Sequence, residues 1–202
     1  MKIRLTSSAS IIIFFLYNLK CMETYIVLLR GINVGGKNKV PMLELKKCLE
    51  ELGYSDVVTY IASGNVFVRS KKKPSKIQTE IEQVLPKKFK LDSNLIKVLV
   101  LTRAHLKAVV ERKPKGFGEA PKKYHSDVIF LMDFKVSQAM PVFSPKEGVD
   151  TVWAGKGAIY SQRLSSQRTK SRLNRIMVTP AYKHMTIRNW NTVTKLLALT
   201  KK

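Results

Sequence analysis

Gly31, Gly36 and Lys37 stand at the spacing of a phosphate-binding loop, G-x-x-x-x-G-K, and the apolar run Tyr25–Leu29 precedes them where the strand of such a loop belongs. In that chemistry backbone N–H groups cradle a polyphosphate, a lysine reaches its terminal charge and a following Ser or Thr hydroxyl holds magnesium. Here Asn38 occupies the hydroxyl position, and Pro41 sets the helix start several residues late. A Walker-type nucleotide hydrolase is therefore not expected. What remains is a loop in which Gly31, Gly35 and Gly36 free the backbone to present N–H groups, ahead of a helix whose first residues, Val40 and Pro41, offer no side-chain cap. An anion suits that place, and a plain strand-to-helix connection with tight turns accounts for the same glycines.

The elements that must position this loop follow from periodicity. "TYIVLLR" is a buried strand, Met42, Leu45, Leu49 and Leu52 recur at helical spacing up to Gly53, and "VVTYIA" and "NVFVRS" are short strands around Ser63 and Gly64. Pro74 starts a helix with Ile77, Ile81, Val84 and Leu85 on one face, and "LIKVLVL" is the next strand. The order strand, helix, strand, strand, helix, strand is the ferredoxin-like unit, filling 22–101. In that topology the first two strands run parallel, so Arg30, Asn33, Lys37 and Asn38 are expected to face Ser63 and Asn65 across one edge of the sheet.

Residues 102–202 read as a second α+β domain of related architecture. It has a helix near Arg103–Arg112, a strand at "SDVIFLM", a short helix near Lys135–Met140, a hairpin from "DTVWAG" and "AIYSQRL", and two C-terminal helices. If Ser165 or Ser166 caps the first of these, Arg168, Arg172 and Arg175 form a stripe backed by Leu173, Ile176 and Met177, suited to nucleic-acid phosphates. If Thr186 caps the second, Ile187, Trp190, Val193 and Leu197 pack inward while Arg188 and Asn191 face outward as candidate ligand contacts.

Charge narrows the partner. The chain of 202 residues carries a formal +23, and no Asp or Glu follows Asp150, which predicts solubility and attraction to polyanions. "SGNVFVRS" keeps only Gly64, Phe67 and Val68 of the RNP1 pattern, a weak sign of RNA recognition, and Phe67 alternates as a core residue would. Cys21 and Cys48 build no disulfide framework, His105, His125 and His184 have no metal-ligand spacing, and no G-x-S-x-G elbow occurs, so neither a metal nor a cofactor is expected. The first 21 residues, basic and then apolar through "IIIFFLYNL", lack a cleavage site and the length to span a bilayer. We read them as an upstream extension from a misassigned start, and place the protein in the cytoplasm with no membrane partner.

"LLRGINVGGKNKVPM", "TYIASGNVFV" and "MTIRNWNTVTKLLAL" resemble the three signature blocks of a bacterial family known as domain of unknown function 1697, in the right order from Met22 to about Leu199. The resemblance implies a pair of ferredoxin-like α/β plaits, implies no established activity, and supports Met22 as the ancestral start. The expectation from the residues is binding of a phosphate-bearing ligand, with nucleic acid slightly ahead of a small metabolite. The rivals are an enzyme on a small anionic substrate, using Arg30, Lys37 and the loop amides, and a non-catalytic interaction protein.

Overall fold

Strand β1 (Glu23–Arg30) is apolar on both faces because both faces are covered. Tyr25, Val27 and Leu29 point to one core, and Ile26 and Leu28 to another. The structure is a computed structural model that describes residues 22–91 and 96–200. The reading of the first 21 residues therefore falls outside the described part.

Helix α1 (Met42–Glu51) follows the glycine loop, then β2 (Ser55–Tyr60), β3 (Asn65–Ser70), α2 (Pro74–Phe89) and β4 (Lys97–Thr102). The sheet order is β2-β3-β1-β4 with every neighbouring pair antiparallel, which is the ferredoxin-like plait. Leu45 and Leu49 of α1 and Ile77, Ile81 and Leu85 of α2 close one face of this sheet. Helix α3 (Arg103–Glu111), capped by the Thr102 hydroxyl accepting the His105 N–H at 3.1 Å, leads to the second domain.

There β5 (Tyr124–Leu131), α4 (Val136–Ala139), β6 (Asp150–Ala154), β7 (Ala158–Leu164), β8 (Met185–Asn189) and α5 (Trp190–Leu199) build a sheet ordered β6-β7-β5-β8. The two sheets thus repeat one strand order, and each plait is followed by a helix. Those helices share a core with both sheets: Leu106 and Val109 of α3, Val193 and Leu196 of α5, Phe67 of the first sheet and Tyr160 of the second. Phe67 is buried there, so it offers no base-stacking surface.

The expected pair of C-terminal helices is corrected in both members. Residues 165–184 form three 3-10 turns, Ser165–Lys170, Leu173–Val178 and Pro180–His184, in place of an α-helix. Local competitors explain the break: the Ser171 hydroxyl accepts the Leu173 N–H, Asp150 Oδ2 accepts the Arg172 N–H, and Pro180 cannot donate to a helical ladder. Arg168, Arg172 and Arg175 are exposed, but they lie on successive turns and form no single helical face. Thr186 caps nothing. It lies in strand β8, and Asn189 caps α5 by accepting the Asn191 N–H at 3.0 Å.

Candidate functional site

The loop between β1 and α1 is a miniature hairpin. Lys37 N–H donates to the Val34 carbonyl at 3.0 Å, and Asn33 N–H to that of Asn38 at 2.9 Å. Gly35 and Gly36 form its tip with φ of 58° and 75°, the positive pair that such a tight turn demands. These two glycines are exposed and are not among the residues that line the cleft described below, and the tight turn accounts for both of them.

Asparagines shape the rest. Asn33 and Asn38 both adopt positive φ, which asparagine tolerates through local side-chain hydrogen bonds. The Asn33 amide donates to Val40 O at 3.0 Å and to Ala62 O at 2.9 Å, while its carbonyl accepts the Val40 N–H at 2.8 Å. One side chain thereby ties the glycine loop to the "ASGN" turn and holds the entry of the otherwise uncapped α1. Asn38 donates to Gly31 O at 2.8 Å. Asn33 and Asn38 thus line the site but act first as braces.

The second loop packs against the first through Gly64. Leu29 N–H donates to Gly64 O at 2.7 Å, and a Cβ at position 64 would stand 2.8 Å from Leu29 Cβ, at a φ of 76°. Only glycine fits there. Asn65, opposite Leu28 in the ladder, is fully buried and donates to Tyr60 O at 3.1 Å and to the Ser63 hydroxyl at 3.0 Å.

The second domain then enters. Along β8, Met185 and Ile187 face the outer core and Thr186 and Arg188 the opposite side. Arg188, expected on an exposed helix face, is 8% exposed and reaches into the first domain. Its Nε donates to Asn65 Oδ1 at 2.7 Å, Nη2 to Leu29 O at 2.7 Å and to Gly64 O at 3.4 Å, and Nη1 to the Thr186 hydroxyl at 3.0 Å and to Ile187 O at 2.8 Å. Every acceptor is neutral. Burial pulls the Arg188 pKa down to about 10, which still leaves it charged at neutral pH.

Between the domains lies a cleft of about 440 Å³. Arg30, Lys37, Asn33 and Ser63 of the first plait meet Tyr182, Thr186, Ile187 and Arg188 of the second. Among the described residues no carboxylate lines it. Arg30 holds its guanidinium 4.9 Å above the Tyr182 ring, and the exposed Lys37 side chain has no hydrogen-bond or ion-pair partner among the described residues. Of the expected contacts, Arg30, Asn33, Lys37, Asn38, Ser63 and Arg188 meet here. Asn65 lies beneath, holding Arg188, and Asn191 stands apart beside Trp190 and His125. Tyr182 had no sequence signal of its own, and Ile187, expected on the inward face of a helix, lies in strand β8 and lines the cleft. The alternation in "MTIRN" was the clue to β8, and we read it as the start of a helix.

The sequence profile of the family described as protein of unknown function (DUF1697) matches residues 22–160. The chain belongs to the DUF1697 family. That match takes in the glycine loop and the "ASGN" turn and ends before β8. A search of curated proteins finds no match to the chain. Among solved structures, the conserved bacterial protein SP0830 from Streptococcus pneumoniae is similar at 28% identity and a TM-score of 0.75, over 88% of this chain and 98% of that one. That likeness covers most of the chain, so the two-plait fold is shared with that protein. Among the described residues no group of His, Cys, Asp or Glu is placed to hold a metal ion, and no helix is long and apolar enough to cross a membrane.

Proposed function

We propose that this DUF1697 protein binds a small phosphate- or carboxylate-bearing ligand in the cleft between its plaits. The observation that carries the reading is the buried Arg188 charge with only neutral acceptors, beside a cleft lined by two further cations and, among the described residues, no carboxylate. A buried charge is costly without a counter-charge, and an anion in the cleft supplies one. Ile32, Met185 and Ile187 give the ligand an apolar wall, as small-molecule sites commonly do. Nucleic acid, favoured slightly by composition, has less support than the small ligand because the three arginines that argued for it do not share one α-helix.

Phosphate added to the protein should raise its thermal midpoint, and Lys37→Ala, at an exposed position, should reduce that rise without lowering the midpoint in phosphate-free buffer. An equal rise in the variant means general ion exclusion and removes the support for the cleft.

A further inference from the structure

A second chamber lies on the other face of the second sheet. Directly paired residues of the ladder put His125, Asp127 and Ile129 of β5 on the same face as Arg163, Ser161 and Ile159 of β7, and the turn Leu173–Val178 covers them. Between sheet and turn is a cavity of about 190 Å³, lined by Asp127, Ser161, Arg163 and Asn174 at its polar end. Ile129, Phe143 and Ile176 form its apolar walls, and Ile187 separates it from the interdomain cleft, lining both.

Arg163 is the feature that ordinary packing does not explain. Its side chain is 11% exposed, yet it is loosely held: Nη1 donates to Asn174 Oδ1 at 3.4 Å, Nη2 stands 4.0 Å from Asp127 Oδ2, and Nε is buried with no partner. Asp150, opposite Arg163 in the ladder, turns Oδ2 to the N–H groups of Lys146 and Arg172, and its Oδ1 is likewise buried without a partner. Asp127 Oδ1 is 3.2 Å from His125 Nε2. Buried polar groups in folded proteins are nearly always bonded, so an Arg with an orphaned Nε beside a cavity marks a place where something else accepts.

The charges say what. Arg163 and Asp127 line the polar end with one charge of each sign, and the buried carboxylate of Asp150 stands opposite Arg163, which disfavours the simple anions that suit the cleft and favours a molecule carrying both signs. At roughly 30 Å³ for each water-sized group the volume holds about six such groups, the scale of a small amino acid. We propose that this chamber is a second ligand site that takes a small zwitterion, an α-amino acid with a short aliphatic side chain. Its carboxylate lies on Nε and Nη2 of Arg163, its ammonium meets Asp127, and its side chain packs against Ile129, Ile176 and Ile187.

The test uses isoleucine methyl NMR on the wild-type chain, titrated with L-valine and, separately, with isobutyrate and isobutylamine, each of which lacks one of the two charges. The methyls of Ile129, Ile176 and Ile187 should shift saturably with valine while Ile81, in the other plait, stays still. Each single-charge analogue should bind ten- to a hundredfold more weakly, the ratio that losing one charged hydrogen-bonded group produces. Valine that moves none of the three at its highest soluble concentration, or isobutyrate that binds as tightly as valine, overturns the proposal. Arg163→Gln should abolish the valine shifts in a folded protein, and unchanged binding there also overturns it. Should Arg163→Gln fail to fold, Asp127→Asn takes its place: it should weaken valine and leave isobutyrate unaffected, and equal loss of both refutes the zwitterion.

Discussion

Arg188 and Asn65 form the joint on which the two plaits meet. Arg188 comes from an edge strand of one sheet, and the hydrogen bonds of its Nε and Nη2 to Asn65, Leu29 and Gly64 of the other fix the register between domains, while Nη1 is held by its own strand. Hydrogen bonds to charged groups are worth more than neutral ones, and a buried donor that loses its acceptor keeps its full desolvation penalty. Asn65→Ala should therefore destabilise the protein by about 2–4 kcal/mol in urea unfolding, since it strips Arg188 Nε of its acceptor and Tyr60 O of its donor. Ser63→Ala, at an exposed position, should cost under about 0.5 kcal/mol. Similar losses for both would show that Asn65 acts as turn decoration alone. The convergence of Arg30, Lys37 and Ser63 was legible in the sequence, because glycine spacing and strand order speak through local pattern. The burial of Arg188 was not, because a lone arginine in a five-residue strand flanked by a helix reads as that helix's polar face.

Elements whose apolar spacing ran for two turns or more were legible: α1, α2, α3 and every strand of the first sheet fall where periodicity puts them. The 165–184 stretch was not, because side-chain hydrogen bonds and Pro180 override the helical spacing of Leu173, Ile176 and Met177. Helix α2 also carries a contact that no pattern announces. Glu80 Oε2 accepts from the Tyr54 hydroxyl and from Lys72 Nζ, each at 2.7 Å, joining α2 to the segments flanking β2 and β3. Burial pushes the Glu80 carboxyl up, but the hydrogen bonds from Lys72 and Tyr54 outweigh it and hold its pKa below the ordinary carboxylate value. A carboxyl depressed in the folded state contributes stability that is present above the unfolded-state value and lost as pH falls through the folded one. Glu80→Gln should cost about 1–2 kcal/mol at neutral pH, and the gap to wild type should close as acid protonates Glu80. A gap that persists unchanged below the carboxylate range would mean that Gln disturbs packing and that the charge contributes nothing.

At the scale of the molecule, two plaits of identical strand order meet through their trailing helices, through one shared core and through Arg188, and leave a cleft where both contribute walls. The large positive charge was plain in the composition, but charge alone does not choose between a polyanion on a surface and a small anion in a cleft. The proposed small anion draws its support from three dimensions: the arginines at 168, 172 and 175 share no α-helix, whereas Arg30, Lys37 and Arg188 line one cleft. The most direct measurement is a crystal structure with selenate, a phosphate-like anion that its anomalous scattering locates without ambiguity. The account predicts that the strongest site lies in the interdomain cleft against Lys37 and Arg30, and that it weakens in a Lys37→Ala crystal treated the same way. Strong selenate sites confined to the turns bearing Arg168, Arg172 and Arg175, with none in the cleft, would contradict it.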